Sequence, residues 1–371
     1  MPQRWFDAHL DLAYLAVNGR DMLAPLTAQT APHPPASVTL PALEEGRVRF
    51  ALATIFTELG GVGPEGYPAG DAERAWLVGR AQLEVYLTWR DRGAIALDLL
   101  RVLRPDPGVG QVRGGMGVAE VVPEPVESRL ARADRAAGSG RKPLHAGILI
   151  ECADPIRTPD DVDWWADRGV VGVGMAWVRG SRYASGNGEP SASSGVGITA
   201  LGRELVRRLD ARGLVHDVSH LSDRALADLF ALTDRRVMAS HSNCRAIMGD
   251  RNQRHVTDDT IREIGRRGGV IGLNLVRNFI RPGLNREDPT DRPSIDDAIR
   301  HVERIAELMG HRRGAGLGSD LDGGITANDL PAGINRPRDF DRLAEALSAH
   351  GWSDDEVEGF AWRNWAEFWS R

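Results

Sequence analysis

The residues that decide the fold are 199–241, which read TALGRELVRRLDARGLVHDVSHLSDRALADLFALTDRRVMASH. Leucines recur every four positions over Thr199–Arg212, the spacing that places them on one face of a helix. Two short apolar runs, Leu214–Ser219 and Val237–His241, follow and have the length and composition of buried strands. A helix followed by strands of this kind is typical of repeated β–α units around a parallel sheet.

The same pattern extends in both directions along the chain. Eight candidate strands can be counted, and helical stretches lie between most of them. The strands are Trp5–His9, Val48–Phe56, Gly147–Glu151, Val170–Trp177, Leu214–Ser219, Val237–His241, Val270–Val276 and Ala315–Ser319. The clearest helices are Ala72–Trp89, Thr199–Arg212, Thr257–Arg267, Ser294–Met309 and Arg338–His350. Eight strands with helical connections predict an α/β fold, a closed (β/α)₈ (TIM) barrel.

Residues 1–371 are expected to form one barrel domain, since such barrels are often longer than an average domain. The segment Arg104–Lys142 is rich in glycine, proline and arginine, which predicts a long surface excursion. A second interruption, Arg179–Gly197, follows the fourth strand and is expected at the barrel mouth. A final helix, Asp354–Trp369, carries several aromatic side chains that we interpret as core.

Composition excludes several classes of function. The chain is 42% hydrophobic and 26% charged, which is ordinary for a globular protein. Its formal net charge of −6 disfavours binding to nucleic acid. No apolar run is long enough to span a membrane, and the N-terminal residues do not resemble a signal peptide. Two cysteines are too few for a disulfide framework. We therefore expect a cytoplasmic protein with no membrane partner.

Five of the predicted strands end in histidine or carboxylate side chains. The C-terminal ends of barrel strands meet at one face, so these residues can come together in space. Imidazole and carboxylate groups are suitable ligands for zinc and similar ions. The residues chosen as metal ligands are His9, Asp11, Glu151, His220 and His241. Three histidines and two carboxylates suit two divalent ions better than one, and a water held between paired ions has a pKa near neutrality.

Glu151 is the predicted bridge between the two ions. Some barrel hydrolases use a carboxylated lysine in this role, but this chain has a single lysine, Lys142, in a loop. Asp320 and Asp322 follow the last strand and are open to two interpretations, a catalytic role or a structural role in the turn that they form. His216 shares a strand with His220 and could support it.

These motifs resemble the membrane (renal) dipeptidases and their bacterial relatives, which are zinc enzymes on amidohydrolase-like barrels. The resemblance covers most of the chain and is strongest over 197–368. It rests on His9-x-Asp11, on Gly147–Glu151, on Asp217-Val-Ser-His220, on Ser240-His241-Ser-Asn and on Gly316-Leu-Gly-Ser-Asp320. Zn²⁺ is the metal that the resemblance implies.

The resemblance also implies two roles around the metals. Arg251 is matched to the arginine that binds the substrate carboxylate. Asp320 is matched to the aspartate that accepts a proton and passes it to the departing nitrogen. Glu151, as bridge, is counted with Asp320 among the catalytic residues.

The fourth strand departs from the family pattern. The family usually has a histidine there that contacts the substrate, whereas this chain has Met175 or Ala176. Neither side chain can donate a hydrogen bond to a developing oxyanion. Arg182 and Tyr183, together with Arg179 in the loop that follows, are the predicted replacements.

The sequence thus predicts a zinc-dependent hydrolase of small amide substrates, dipeptides or N-acyl amino acids, and a homodimer is possible. Two alternatives stay open. One is a barrel metallohydrolase of another substrate class, acting on a lactone or phosphoester or deaminating its substrate. The other is a catalytically silent barrel that only binds metal.

Overall fold

The computed structural model describes residues 1–105, 110–113, 120–136, 142–188, 196–249 and 252–371. Eight parallel strands form a closed barrel, as predicted. They are β1 (Trp5–Leu10), β2 (Val48–Ile55), β3 (Leu144–Ile150), β4 (Val170–Gly174), β5 (Val215–Asp217), β6 (Val237–Ala239), β7 (Val270–Leu273) and β8 (Ala315–Leu317). Each strand pairs with its sequence neighbours, and β1 pairs with β8 to close the ring. Consequently β2 lies across the barrel from β6.

The strands form because their side chains are buried on both faces. Every residue of β1, β2 and β3 is buried, as expected for a parallel sheet covered by helices. Shorter strand segments are Glu58–Leu59, Gly66–Tyr67, Ile95–Ala96, Gly110–Arg113 and Glu120–Pro123. Strands β4 to β8 end two or three residues earlier than predicted. Of the metal-ligand candidates, His9 lies near the end of β1, and the other four lie just beyond the ends of their strands.

The α-helices are α1 (Leu12–Val17), α2 (Leu40–Glu45), α3 (Ala72–Asp91), α4 (Leu99–Leu103), α5 (Val126–Ala136), α6 (Val162–Ala166), α7 (Ala200–Arg212), α8 (Asp223–Leu232), α9 (Arg245–Met248), α10 (Asp258–Arg266), α11 (Ile295–Met309), α12 (Asp341–Ala349), α13 (Asp354–Glu358) and α14 (Asn364–Ser370). A π-helical turn, Gly359–Arg363, joins α13 to α14. Short 3₁₀ turns are Leu26–Ala28, Pro159–Asp161, Arg277–Phe279, Arg312–Gly314, Ala327–Asp329 and Pro337–Phe340. Among the described helices, none combines the length and apolar character that a membrane span needs.

Helix ends follow their local sequence. Thr257 caps α10 by accepting a hydrogen bond from Thr260, and Ser294 forms a reciprocal capping box with Asp297 at the start of α11. Gly213 ends α7 in a left-handed conformation, which glycine adopts without steric cost.

The segment Arg104–Lys142 holds more structure than its composition predicts. It contains α5, in which Leu130 and Ala133 are buried. Arg129 of this helix donates hydrogen bonds to the carbonyls of Val102 and Leu103, at 2.8 and 2.7 Å. Because this contact between α5 and α4 is made by an arginine, hydrophobic periodicity does not reveal it. Residues 106–109, 114–119 and 137–141 of the predicted excursion lie outside the described residues.

The aromatic C-terminal segment is core, as expected. Phe360, Trp365 and Trp369 are almost completely buried. The Trp365 indole N–H donates to the carbonyl of Leu317, 3.0 Å away, and so packs the segment on β8. A Cβ on Gly316 would lie 2.4 Å from Trp365 Nε1, so this contact requires glycine.

Candidate metal centre and substrate cavity

The five predicted ligand residues meet at the C-terminal face of the barrel. His220 Nε2 lies 3.0 Å from His241 Nε2. Glu151 Oε1 lies 3.2 Å from His220 Nε2, 3.4 Å from His241 Nε2 and 3.7 Å from His9 Nε2. Asp11 Oδ2 lies 3.6 Å from His9 Nε2. One carboxylate oxygen of Glu151 thus faces three imidazole nitrogens, the position expected of a bridging ligand.

Asp320 also belongs to this cluster. Ligand atoms of His9, Asp11 and Asp320 lie within 4.8 Å of one another, as do those of His9, Glu151 and His241. The sequence predicted that Asp320 lies at the same barrel face and transfers a proton, and its ligand-atom distances add it to the groups able to contact a metal ion. Asp322, by contrast, accepts hydrogen bonds from the Ser37 and Val38 amides at 2.7 and 3.0 Å. It therefore joins the loop after β8 to the loop before α2.

The electrostatics of the cluster suit a divalent cation. Burial lowers the pKa of His220 and of His241 well below 6.5, assisted by the charges of Arg254 and His9, so both imidazoles are neutral and able to bind metal. Burial also raises the pKa of Glu151 and of Asp320. Burial lowers the pKa of His9, but the carboxylates of Glu151 and Asp11 outweigh it and raise the value to about 10. The carboxylates therefore draw positive charge to this point.

Hydrogen bonds behind the cluster orient the imidazoles. The Ser240 hydroxyl donates to Asp217 Oδ2 at 2.5 Å and so presents its lone pairs to His241 Nδ1 and His9 Nδ1, at 2.8 and 3.4 Å. On the other side, His220 Nδ1 lies 3.1 Å from Asn187 Oδ1. These contacts suit rings that donate from Nδ1 and direct Nε2 towards the cluster.

A buried polar atom without a partner supports this interpretation. His9 Nε2 is inaccessible and has no hydrogen-bond partner among the described residues. Buried polar groups are nearly always satisfied, so an orphaned imidazole nitrogen facing carboxylates fits the position of a metal ligand. The donor set of histidine and carboxylate fits zinc and similar divalent ions.

Asp320 is held by an amide chain from β7 and its loop. Asn274 Nδ2 donates to Asp320 Oδ2 at 2.9 Å. The orientation of this amide is fixed, because its Oδ1 accepts from the Val276 amide at 2.7 Å. The Asn274 backbone amide in turn donates to Asn243 Oδ1 at 3.0 Å. The carboxylate is therefore positioned beside the cluster before any substrate binds.

The cluster opens into a cavity of about 460 Å³ with walls of opposite charge. Arg254 and Arg286, from the loops after β6 and β7, line one part of it. Glu58 and Glu65, from the loop after β2, line another together with Tyr14. Since β2 and β6 are opposite in the barrel, a ligand across the metal centre meets a cation on one side and carboxylates on the other.

The predicted carboxylate-binding residue, Arg251, lies outside the described residues. Arg254, three positions later, is buried and lines the cavity. It donates to the His241 carbonyl at 2.8 Å and to Ser242 Oγ at 3.3 Å, and its Nε has no partner among the described residues. Sequence reasoning missed Arg254 because three arginines occur within residues 245–254 and spacing alone does not distinguish them.

The predicted replacements for the fourth-strand histidine are engaged elsewhere. Arg182 bonds Asp154 Oδ1 through Nε at 3.2 Å and donates to the carbonyls of Asp154 and Ile156. Tyr183 is buried, and its hydroxyl also donates to the Ile156 carbonyl. Neither lines the cavity, and the third predicted replacement, Arg179, is exposed and does not line it either. His216 bonds Asp210 at 2.8 Å and does not support the metal ligands. Trp177, Val178 and Asn187 are the residues that this region contributes to the cavity.

A (β/α)₈ barrel with a histidine–carboxylate cluster at its C-terminal face defines the class of barrel metallohydrolases. Residues 127–371 match the model of the membrane dipeptidase family, peptidase family M19. The match covers more than half of the chain, and the chain therefore belongs to this family of metal-dependent, dipeptidase-like hydrolases.

Individual relatives agree with this membership. An uncharacterized Klebsiella pneumoniae protein encoded in the pqqA 5′ region is 34% identical over 200 residues, which is 53% of this chain and 70% of the relative. Two other curated relatives are matched over 40% and 61% of their own length.

Solved structures have the same fold. The metallopeptidase called dipeptidase AC, of family M19, superposes with a TM-score of 0.73 at 22% identity, covering 100% of this chain and 99% of the other. A Rhodobacter sphaeroides metallopeptidase, liganded with a phosphinate mimic of the dipeptide L-Ala-D-Ala, gives 0.72 at 22% identity over 100% and 99%.

Proposed function

We propose that this protein is a zinc-dependent dipeptidase, which hydrolyses the amide bond of dipeptides or of N-acyl amino acids. The observation that carries the proposal is a buried arginine, Arg254, in the same cavity as the metal cluster. A cation at a fixed place beside a metal centre suits a substrate with a carboxylate close to its scissile bond. The phosphinate dipeptide bound by the Rhodobacter sphaeroides relative is a ligand of this kind.

The metal ligands are proposed to act as two overlapping sets. His9, Asp11 and Glu151 would hold one ion, and Glu151, His220 and His241 the other. Ions bound there would polarise the scissile carbonyl and lower the pKa of an attacking water towards neutrality. Glu151 faces all three imidazoles and is the residue that would be shared.

Asp320 is the proposed proton carrier. Burial raises the pKa of this carboxyl, and Asn274 fixes its Oδ2 beside the cluster. From this position it can take a proton from the attacking water and deliver it to the departing nitrogen. Its place beside His9 and Asp11 keeps the transfer short.

Other expectations stay predictions: the cytoplasmic location, the absence of nucleic-acid partners and the possible homodimer. A lactonase or phosphotriesterase activity is less favoured, because an arginine for a free carboxylate is not needed by those substrates.

The test is release of amino acids from a dipeptide panel that includes C-terminal L- and D-residues, with zinc-loaded and chelator-treated protein. We expect zinc-dependent release, and a loss of about 10²–10⁴-fold in kcat for Asp320→Asn. Metal content of the variant is measured in parallel, since Asp320 lies beside two ligands. No release from a metal-loaded protein would refute the dipeptidase proposal, and a fully active Asp320→Asn variant would refute the role of Asp320.

A further inference from the structure

We infer that Asn187 is a catalytic residue that donates a hydrogen bond from its side-chain amide to the carbonyl oxygen of the substrate as that oxygen gains negative charge. The inference rests on the proposed function as an amide hydrolase. It assigns to the loop after β4 a donor that neither Arg182 nor Tyr183 can supply from its observed place.

The Asn187 amide directs its NH₂ group away from His220. His220 Nε2 faces Glu151 and His241, so its proton is on Nδ1 and is donated to Asn187 Oδ1, 3.1 Å away. With Oδ1 committed to His220, the NH₂ group must point in another direction. Asn187 lines the cavity, and among the described residues its side chain is hydrogen-bonded through Oδ1 to His220. Asn187 therefore offers the cavity a donor that is next to a metal ligand.

Backbone hydrogen bonds hold Asn187 rigidly beside His220. The Asn187 backbone N–H donates to the His220 carbonyl at 2.9 Å, and the Gly188 N–H donates to the Val178 carbonyl at 2.9 Å. Gly186 pairs with Leu221, and a Cβ on Gly186 would lie 1.8 Å from the Trp177 carbonyl oxygen, so this close approach requires glycine. These contacts fix Asn187 relative to His220. A donor fixed in advance stabilises a developing charge without reorganisation, which is the condition for a large catalytic effect.

The cavity contains hydrogen-bond donors besides Asn187. The Tyr14 hydroxyl is engaged with His33 Nε2 at 3.0 Å. The Gly323 and Gly324 amides donate to the carbonyls of Asp320 and Asp322. Arg254 is assigned to the substrate carboxylate. Asn252 and Trp177 also line the cavity and carry neutral N–H donors. Among the described residues, Asn187 differs from both because its side chain is hydrogen-bonded to a metal-ligand candidate, His220.

The chemical step is balanced without a further reactant. Water oxygen forms a bond to the amide carbon, the carbonyl π-electrons move to the oxygen, and Asn187 Nδ2–H donates to that oxygen. The C–N bond then breaks, the carbonyl re-forms, and the nitrogen leaves with the proton that Asp320 took from water.

The experiment separates this role from support of His220. Asn187→Asp keeps an oxygen acceptor for His220 Nδ1 but removes the N–H donor, whereas Asn187→Leu removes both. For Asn187→Asp we expect unchanged zinc content, KM within about threefold, and kcat lower by about 10²–10³-fold. The affinity for a phosphinate dipeptide analogue, whose oxygens carry charge in tetrahedral geometry, should fall at least tenfold. Asn187→Leu should additionally lose zinc.

Ser185→Ala is the matched control, because Ser185 lies in the same loop and bonds Ser222 at 2.6 Å without lining the cavity. Its kcat should stay within about twofold. An Asn187→Asp enzyme with kcat within threefold, or one whose activity returns with excess zinc, would overturn the inference while leaving the proposed function intact. If the unsubstituted protein cleaves no dipeptide, the proposed function fails and this inference fails with it.

Discussion

Three residues around the metal centre have backbone conformations that their side chains disfavour. His220, Asp320 and Asp322 have φ values of 66°, 61° and 58°, in the left-handed region that glycine tolerates best. Such positions cost about 1–3 kcal/mol each and persist where the surrounding structure requires them. In this barrel they turn the chain sharply at the ends of β5 and β8, which directs His220 and Asp320 into the same space.

The proposed binding of the substrate carboxylate by Arg254 can be tested with a conservative substitution. Arg254→Lys keeps a positive charge but loses the planar fork that bonds a carboxylate in two places. Truncating one partner of a buried charged pair costs about 2–5 kcal/mol, so KM for L-Ala-D-Ala should rise at least about thirtyfold with a smaller change in kcat. Steady-state kinetics on this dipeptide and on its C-terminal amide measure the effect.

The C-terminal amide identifies what the arginine binds. It has no carboxylate, so its kcat/KM should be low in the unsubstituted enzyme and little changed by Arg254→Lys. Arg179→Lys is the control, since Arg179 is exposed and does not line the cavity. An equal loss for the dipeptide and its amide would show that Arg254 is only structural.

The sequence predicted which residues form the metal-ligand cluster but not which loop residues line the cavity beside it. The convergence of His9, Asp11, Glu151, His220 and His241 followed from their places at strand ends, because barrel geometry brings those ends together. Arg254 and Asn187 lie within loops, and Glu58 lies in a two-residue strand of the connection after β2, where spacing does not determine direction. Their roles depend on contacts between loops that are distant in sequence.

At the scale of elements, the loop after β2 forms an acidic wall. Glu58 lies in a two-stranded pairing of Glu58–Leu59 with Gly66–Tyr67, and Glu65 directly precedes the second strand. Glu65 Oε2 accepts a hydrogen bond from Asn18 at 3.2 Å. Among the described residues, neither carboxylate forms an ion pair. Burial raises the pKa of the nearby Tyr14 to about 12, and the charges of Glu65, Asp11 and Glu58 add to it. The wall thus presents uncompensated negative charge to the cavity.

This wall predicts a preference for substrates with a cationic amino-terminal residue. A dipeptide whose carboxylate is at Arg254 extends its other end across the metal centre towards the side of β2. We expect kcat/KM for L-Lys-D-Ala to exceed that for L-norleucyl-D-Ala about tenfold, since norleucine has a similar side chain without the charge. The double substitution Glu58→Gln with Glu65→Gln should bring this ratio close to one.

Glu45→Gln is the matched control for the acidic wall, because Glu45 is exposed on α2 and does not line the cavity. Its ratio should equal that of the unsubstituted enzyme. Raising the salt concentration should also lower the ratio, as screening weakens exposed charge pairs. Equal rates for the two dipeptides in the unsubstituted enzyme would exclude this specificity.

Element types were predictable where a repeating pattern existed. The eight strands and the helices α3, α7, α10 and α11 followed from apolar runs, helical spacing and capping residues. The helix α5 did not, because its contact with α4 is made by Arg129. The role of the two glutamates of the acidic wall was not predictable from the sequence either, because it depends on Arg254 lying on the opposite side of the cavity.

At the scale of the whole molecule, the metal centre connects distant parts of one barrel. The proposed ligands lie at the ends of β1, β3, β5 and β6, and Asp320 follows β8, so five of the eight strands meet at a single cluster. Without a cation the carboxylates of Glu151, Asp11 and Asp320 repel one another in a buried place. Ions that bind only the folded state should therefore stabilise the entire barrel.

Metal removal tests this coupling. A ligand present at 1,000 times its Kd stabilises the folded state by about 4.1 kcal/mol, so chelation should lower Tm by several degrees, and added zinc should restore it. Calorimetry with and without chelator measures the shift. In His220→Asn the shift should be smaller, because one ligand is lost while the rest of the barrel is unchanged. If Tm is the same with and without zinc, the cluster does not hold an ion tightly, and the interpretation of His9 Nε2 as a metal ligand is wrong.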